Sequence, residues 1–192
     1  IYRTLSLAHE IVDHEIIFVC DEKSQIAVDK IAGYDYLIEV CHTNDIEQKI
    51  LELEPDLVIN DILNTSQEYV VLLKEHNIKV VSFEDIGEGA KYTDLTVNEV
   101  YDESHLDEKN IKWGQGYFIL RDEFNEAKPR EFEDKVDSLL ITFGGTDQNN
   151  CTLKMIKAVA DFCKDEGIKI YVVAGEGNTY IKEIRSYLQR AK

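Results

Sequence analysis

Short apolar runs rich in β-branched residues alternate with stretches of helical spacing, and this alternation constrains the fold more than any other feature of the sequence. The first four runs cover 15–20, 36–41, 57–60 and 79–83. Strands that alternate with helices form βαβ units, in which the strands are parallel and the helices cover the sheet. The sequence therefore predicts an α/β protein built from Rossmann-like parallel-sheet domains.

The first predicted helix has no strand before it. Ile1, Leu5, Ala8 and Val12 fall on one helical face, so the helix is expected to begin at or before the first residue. In a βαβ fold such a helix follows a strand and a tight loop. We therefore expect the first strand of this domain to lie outside the sequence.

Changes in composition predict two domains. A short strand at 94–98, a charged surface loop at 101–112 and a last strand or extended segment at 117–120 complete a domain over 1–120. Residues 121–136 are rich in charge and contain a proline, as linkers often are. Two further strand–helix pairs follow in 137–192, with strands at 138–143 and 168–174. A doubly wound domain needs more than these, so the second domain is expected to be incomplete.

The charge and the apolar runs exclude several classes of partner. The formal net charge is −17, and the basic residues are interleaved with acidic ones. A polyanion needs lysine and arginine concentrated on one face, so neither nucleic acid nor an anionic membrane is expected as a partner. No apolar run reaches the length of a membrane span and no secretory signal is visible. We predict a cytoplasmic protein.

Ligands of open parallel sheets bind beyond the carboxyl ends of the strands. The residues at these positions are Asp21, His42, Asn60–Asp61, Glu84–Asp85, Asn98–Glu99, Gly144–Asp147 and Gly175–Gly177. Asp61 and the pair Glu84–Asp85 follow consecutive strands, so their carboxylates could share one crevice and act as general acid or base. Alternatively, they cap helices and hold loops.

The turn formed by Gly144, Gly145, Thr146 and Asp147 is the most specific local pattern. Two glycines let the backbone approach a ligand, and the N–H groups at the start of the following helix attract a phosphate. A diphosphate could thus bind an acidic protein through backbone dipoles. The alternative is an ordinary βα turn in which Thr146 or Asp147 caps the helix.

Arg3 lies in the first turn of the first helix, where the helix dipole opposes a positive charge. An anion or a carboxylate beside it would explain the position, and an exposed, tolerated arginine is the alternative. Cys20 and Cys41–His42 both close apolar runs and could meet as metal ligands, or they are thiols that act as small hydrophobic residues. The cysteine spacing favours neither a metal nor a disulfide framework, and no cofactor is indicated.

Several segments in order along the chain resemble the UDP-sugar hydrolases of pseudaminic acid biosynthesis and the related spore-coat polysaccharide biosynthesis proteins. These segments are Arg3-x-Leu5-x-Leu7-Ala8, Asp61 after Leu-Val-Ile-Asn, Phe83-Glu84-Asp85 with Gly87 and Ala90, Asp94–Asn98, Tyr117–Phe124, and Phe143-Gly-Gly-Thr-Asp147-x-x-Asn150-x-Thr152. The resemblance implies a GT-B-like fold of two Rossmann-like domains, with a nucleotide sugar bound in the cleft between them.

The resemblance also implies roles for individual residues. The substrate would be a UDP-sugar, from which water attack at the anomeric carbon releases UDP. Asp61 and Asp85 would line the sugar side as candidate catalytic residues. The expected nucleotide-sugar ligands are Arg3, Glu84, Asn98, Gly144, Gly145, Thr146, Asp147 and Gly175. The proposed histidine base of the family would fall immediately before Ile1 and the uracil-binding segment after Lys192. A glycosyltransferase of the same fold, or a non-catalytic nucleotide-sugar-binding module, is the alternative.

Overall fold

The computed structural model describes residues 1–101, 108–124, 126–129 and 131–190. The chain divides into two compact units, Ile1–Ala127 and Lys128–Lys192. The division falls inside the segment 121–136 that the sequence predicts as a linker, where the described residues between Phe124 and Ser138 form neither helix nor strand. Each unit is an α/β structure with parallel strands, as the sequence predicts.

Unit 1 contains four helices and six strands among its described residues. In chain order these are α1 (Tyr2–Glu10), β1 (Ile17–Asp21), α2 (Gln25–Ile31), β2 (Leu37–Cys41), α3 (Ile46–Leu53), β3 (Leu57–Asn60), α4 (Gln67–Glu75), β4 (Lys79–Phe83), β5 (Leu95–Asn98) and β6 (Ile111–Trp113). The strands form two parallel sheets, one of order β1-β2 and one of order β3-β4-β5-β6. Every predicted strand up to 98 is present.

A serine precedes both α2 and α4, but only one of the two serines caps its helix. At α4, the Ser66 hydroxyl accepts a hydrogen bond from the Tyr69 N–H at 3.1 Å, as an N-cap should. At α2, Ser24 instead donates its hydroxyl to Asp21 and makes no cap. Helix α1 ends at Glu10, so the predicted core residue Val12 lies beyond it and is exposed.

One prediction for the end of unit 1 is wrong in part. The charged stretch 101–112 was expected to be a loop, but its last residues begin strand β6, which pairs with β5 and buries Ile111; residues 102–107 lie outside the described part. At 117–120, predicted as a strand or an extended segment, a short 3₁₀ helix ends at Tyr117, and Phe118 is extended without belonging to a strand. A strand of three residues is too short to show a period-2 pattern.

The core of unit 1 lies between α3, α4 and the strands. Its buried residues are Ile50, Tyr69, Val70, Leu73, Ile78 and Val80. Val19 of β1 and Val58 of β3 both pack against this cluster. The two sheets of unit 1 therefore share one core, although they do not pair with each other.

Unit 2 consists of β7 (Ser138–Thr142), α5 (Cys151–Asp165), β8 (Lys169–Val173) and α6 (Ile181–Arg190). Strands β7 and β8 are parallel neighbours. Both helices contribute to one core, formed by Ile141, Leu153, Ile156 and Ile184. The alternate strand residues Leu140, Tyr171 and Val173 are exposed, so only one face of this small sheet is covered.

Candidate functional site

The carboxyl ends of β3, β4 and β5 bring carboxylates together in unit 1. Asp61, Glu84 and Glu99 each follow a strand directly, and the three strands are neighbours in one parallel sheet. Parallel strands end at the same edge of a sheet, which is why residues distant in sequence meet here. The expectation that Asp61 and Glu84 share one crevice agrees with this placement.

Arg3 is the centre of this carboxylate cluster. Its Nη1 donates to Glu99 Oε1 at 2.6 Å and lies 3.7 Å from Glu84 Oε1, while its Nη2 donates to Asp61 Oδ1. The guanidinium carbon lies 5.3 Å from the centre of the Phe83 ring. The side chain keeps only 17% of its exposure. The carboxylate explanation of Arg3 thus holds, and the exposed alternative does not.

The charges around Arg3 are tightly coupled. Burial acts to lower the pKa of Arg3, but the hydrogen bonds and charges of Asp61 and Glu99 outweigh it and raise the pKa above its ordinary value. The guanidinium is fully charged at any physiological pH. Because three carboxylates surround one guanidinium, the cluster keeps an excess of negative charge. Such a surface favours hydroxyl or ammonium donors over a phosphate.

Glu84 is held in a special backbone conformation. Its φ is +55°, in the left-handed region that non-glycine residues seldom occupy. Its Oε1 accepts the N–H groups of Glu99 at 2.5 Å and Val100 at 3.2 Å, whereas the buried Oε2 has no hydrogen-bond partner among the described residues. Strained, incompletely paired polar groups are concentrated at functional sites.

Asp85 forms its hydrogen bonds with loop residues and not with Arg3. It is fully buried. Its carboxylate accepts the Thr65 N–H at 3.1 Å, the Gly87 N–H at 2.9 Å and the Thr65 hydroxyl. All of these donors belong to the loops after β3 and β4. This placement favours the loop-holding alternative for Asp85 over a catalytic one.

Asn98 supports the same corner from β5. It is fully buried and donates its Nδ2 to the Asp85 carbonyl at 3.0 Å. Its Oδ1 has no hydrogen-bond partner among the described residues. A buried amide oxygen without a donor is costly, so a ligand or water is the natural partner. Asn98 is therefore a buried residue that supports Asp85 from the end of β5, and its predicted contact with a nucleotide sugar stays a prediction.

Sequence reasoning assigned no role to Glu99 or Tyr69. Glu99 accepts a hydrogen bond from Arg3 at 2.6 Å, and its Oε2 also accepts the Ile119 N–H at 3.2 Å. Tyr69, on α4, donates its hydroxyl to Asn60 Oδ1 at 2.8 Å beneath the carboxylates. The position of Glu99 directly after a strand was its only signal. From the sequence alone, Tyr69 is predicted to be an ordinary core residue of an amphipathic helix.

In unit 2, the predicted turn between β7 and α5 adopts a tight geometry. Gly144 has a φ of +71°, which favours glycine. The carboxylate of Asp147 accepts the N–H groups of Cys151 at 2.7 Å and Thr152 at 2.9 Å. Asp147 therefore caps α5, and these two N–H groups are not free for a phosphate. The open backbone of the turn is 144–146.

The cap explains the acidity of Asp147. Burial acts to raise the pKa of its carboxyl, but the hydrogen bonds from Thr152 and from the backbone of Cys151 hold the pKa below its ordinary value. Asp147 is thus ionised at neutral pH and already balanced by the helix start. Among the two alternatives for this residue, the structure favours the helix cap.

The second βα loop of unit 2 packs against the first. A Cβ atom added at Gly175 would clash with the backbone of Gly145, so the two glycines approach as closely as backbones can. Beside them, a pocket of about 320 Å³ is lined by Phe143, Thr146, Asp147, Gln148, Asn149 and Cys151. The buried Asn178 accepts the Tyr180 N–H, and its Nδ2 has no partner among the described residues.

A second pocket, of about 360 Å³, lies in unit 1. It is lined by residues that precede β3 and β4, among them Pro55, Asp56, Asn77 and Ile78. This is the amino end of the strands, where parallel sheets do not place their active sites. Glu54, Asp56 and His76 are among its lining residues, but the pocket lies at the amino end of the strands and shares no residue with the carboxylate cluster, so it is not the candidate site.

No group of three or more histidine, cysteine or acidic side chains among the described residues is arranged to hold a metal ion. No helix in the described part of the chain is both long and apolar enough to span a membrane.

The chain is similar to a longer archaeal protein. The chain is 31% identical to an uncharacterized protein of Methanocaldococcus jannaschii over 207 aligned residues. The alignment covers 99% of this chain but only 42% of the relative, so the chain spans less than half the length of that protein. No protein-family model matches the chain.

Proposed function

We propose that the protein is a nucleotide-sugar enzyme of surface polysaccharide or nonulosonic acid biosynthesis, which hydrolyses a UDP-sugar. The observation that carries the proposal is the turn 144–146 after β7, where Gly144, Gly145 and Thr146 are exposed and Thr146 lines a pocket. Backbone dipoles can bind a diphosphate without basic side chains. This suits a protein whose formal charge is −17.

The roles of the turn residues follow from their geometry. Gly144, Gly145 and Thr146 would bind the diphosphate through their N–H groups, while Asp147 keeps α5 in place as its cap. Gly175 would keep the second loop close to the first. The resemblance of Phe143–Thr152 to the UDP-sugar hydrolases supports UDP as the nucleotide.

The carboxylate cluster of unit 1 suits the sugar. Asp61, the most exposed carboxylate of the cluster, can accept hydrogen bonds from sugar hydroxyls. Arg3 is engaged by three carboxylates, so it would orient them rather than bind phosphate. In the reaction, a water oxygen bonds to the anomeric carbon, the bond from that carbon to the UDP oxygen breaks, and UDP leaves with the electron pair. A base must take the water proton, and Asp61 is the most exposed carboxylate of the cluster.

One observation favours a binding module as the second candidate. Asp61 and Glu99 both pair with Arg3, so neither carboxylate is free to accept a proton from water. Measurement of UDP released from UDP-N-acetylglucosamine and other UDP-sugars separates the two functions. Binding without release at any pH would favour the module or a transferase that needs an acceptor.

The nucleotide assignment is tested by thermal unfolding with UDP, CMP and NAD. We expect UDP alone to raise the melting temperature, because a ligand at 100 times its Kd stabilises the native state by about 2.7 kcal/mol. Gly145→Val should abolish the shift without unfolding the protein, since a Cβ at Gly145 meets no atom within 4 Å. Gly116→Val, at an equally open glycine in unit 1, is the matched control and should keep the shift.

Two outcomes would contradict the assignment. A melting temperature that no UDP compound changes would remove UDP as the ligand. A full UDP shift in Gly145→Val would show that the turn is only structural. A fluorescence spectrum of Trp113, the single tryptophan, verifies that unit 1 stays folded in each variant.

A further inference from the structure

The segment that follows β6, residues 114–119, is attached at both ends to the carboxyl end of β5. Gly114 donates its N–H to the Asn98 carbonyl at 3.1 Å, and Ile119 donates its N–H to Glu99 Oε2 at 3.2 Å. Between these two points the chain forms the 3₁₀ turn Gln115–Tyr117. We call residues 114–119 the β6 loop. It lies at the edge of the sheet where parallel strands bind their ligands.

The β6 loop leaves two adjacent aromatic side chains exposed, Tyr117 and Phe118, which we call the aromatic pair. Tyr117 is 47% exposed and Phe118 is 49% exposed. In the part of the chain that the structure describes, neither ring packs on another ring or lies beneath a cation. The similarly exposed Tyr2, by contrast, lies 5.2 Å from the Arg121 guanidinium. Because aromatic rings offer a large apolar area, the pair is a contact surface without a partner.

Glu99 connects the β6 loop to the carboxylate cluster. It is 5% exposed, and its two carboxylate oxygens have different partners. Oε1 accepts a hydrogen bond from Arg3 Nη1 at 2.6 Å, and Oε2 accepts the Ile119 N–H. Arg3 in turn donates to Asp61, the most exposed carboxylate of the cluster. Glu99 therefore fixes the loop that carries the aromatic pair relative to the side chains around Arg3.

The aromatic pair and the carboxylates together favour one class of ligand. A carboxylate accepts hydrogen bonds from hydroxyl groups, and a cluster with excess negative charge repels a phosphate. An aromatic ring contacts an apolar surface. A sugar ring has hydroxyl groups around its edge and C–H groups on its face, so it suits both. A purely apolar ligand would leave the carboxylates without partners, and a free nucleotide would bring its phosphate close to them.

We propose that Tyr117 and Phe118 determine the specificity of the unit 1 site for a sugar. They contact the C–H face of the sugar ring, while Asp61 accepts hydrogen bonds from its hydroxyl groups. The inference rests on the proposed function and adds to it the residues that recognise the sugar part of the substrate. Because the β6 loop is attached at both ends, the pair is held in place before the ligand binds, which reduces the entropic cost of binding.

The test measures NMR signals of isotope-labelled tyrosine and phenylalanine rings with four ligands: UDP, UDP-glucose, UDP-N-acetylglucosamine and free N-acetylglucosamine. The variants Tyr117→Ala and Phe118→Ala assign the two signals. We expect the three sugar-bearing ligands to shift both signals and UDP to shift neither. In each alanine variant the Kd of the UDP-sugars should rise about tenfold, while the Kd of UDP should stay unchanged.

Two further variants control for effects other than the loss of the rings. Phe162→Ala removes an exposed phenylalanine from α5 in unit 2, so it should bind every ligand as the native protein does. Tyr117→Phe keeps the ring and should keep the affinity for the UDP-sugars, which separates ring contact from hydrogen bonding by the hydroxyl. The fluorescence of Trp113, directly before the β6 loop, verifies that unit 1 stays folded.

The outcomes separate this proposal from the proposed function. If UDP-sugars raise the melting temperature but leave both ring signals unshifted, the sugar contact is wrong and the nucleotide assignment stands. Ring shifts with UDP alone would also overturn the proposal, because the pair would then recognise the nucleotide. Ring shifts with free N-acetylglucosamine in a protein that binds no UDP compound would support the sugar contact and remove the nucleotide. Unshifted signals with all four ligands would overturn the proposal.

Discussion

The two units hold their candidate sites by different means. In unit 1, side chains from three strand ends and α1 pair with one another around Arg3. In unit 2, the site is held by the close approach of the Gly145 and Gly175 backbones and by the Asp147 carboxylate, which caps α5. Unit 1 is rich in buried charge and unit 2 in glycine. Substitutions of charged residues should therefore alter the site of unit 1. Substitutions that add a side chain next to the backbone should alter the site of unit 2.

The difference also separates two kinds of ligand chemistry. A cluster with excess carboxylate repels phosphate and attracts hydroxyl donors. A glycine turn with open N–H groups attracts phosphate and places no side chain in its way. Under the proposed function, unit 2 therefore binds the phosphate through backbone dipoles. Variants that remove charges from unit 1, or add side chains at the glycines of unit 2, test this comparison.

The largest effect is expected at Asp85. Replacing it by alanine leaves the Thr65 and Gly87 donors unpaired in the interior, so the free energy of unfolding should fall by roughly 4 kcal/mol. Urea unfolding followed by Trp113 fluorescence measures this in unit 1. Thr65→Val, which removes only the hydroxyl partner, should cost much less.

An Asp85→Ala protein with unchanged stability would contradict the loop-holding role. Asp85 would then return to the catalytic candidates. Far-UV circular dichroism of the same samples reports on both units and shows whether unit 2 remains folded while unit 1 is lost.

Arg3 should have the next largest effect. Arg3→Ala removes the cation from among three carboxylates, and about 2 to 3 kcal/mol of stability should be lost. Arg3→Lys should recover part of the loss. Arg121→Ala, at an exposed arginine that lies over the Tyr2 ring, is the control and should cost less than about 1 kcal/mol.

A double-mutant cycle sharpens this prediction. In the Arg3→Ala background, Asp61→Asn should be less destabilising than in the native protein, because it then relieves repulsion instead of breaking an ion pair. Additive effects of the two changes would show that the pair makes no energetic contribution.

The sequence predicts the strands well and the partners of their side chains only in part. The β-branched runs locate seven of the eight strands, because each run is long enough to show its pattern. Strand β6 was not predicted, because three residues in a charged stretch are too few to show a periodic pattern. That Arg3 needs a carboxylate beside it follows from the helix dipole.

Other features depend on strand order, which no local pattern contains. The meeting of Asp61, Glu84 and Glu99 requires β3, β4 and β5 to be neighbours. Asp85 and Glu84 are adjacent in sequence, yet one is buried under a loop and the other faces Arg3, because Glu84 has a positive φ. The turn residues of unit 2 were predicted from their glycines, but the cap by Asp147 could be settled only by geometry.

Alkaline pH should destabilise unit 1 through Tyr69. Burial raises the pKa of Tyr69 to about 12, despite the hydrogen bond to Asn60, which acts to lower it. A tyrosine in the unfolded chain has a pKa of about 10. The stabilisation is therefore complete below pH 10 and is lost as the pH rises from 10 towards 12, on the order of 2 kcal/mol.

The measurement is urea unfolding at several alkaline pH values with Tyr69→Phe as the comparison. The variant should be less stable at neutral pH, because Asn60 loses a donor, but its stability should fall less steeply above pH 10. Parallel pH curves for the two proteins would show that Tyr69 does not ionise in the transition.

The smallest effect tests the backbone design of unit 2. Gly175→Ala places a Cβ against the main chain of Gly145, which cannot move as a flexible side chain could, so a loss of about 2 kcal/mol is expected. Gly145→Ala, whose Cβ meets open space, should be nearly neutral and is the matched control. The loss should appear in circular dichroism and leave Trp113 fluorescence unchanged. If Gly175→Ala is also neutral, the two loops do not need their close approach, and unit 2 loses the feature that sets it apart from unit 1.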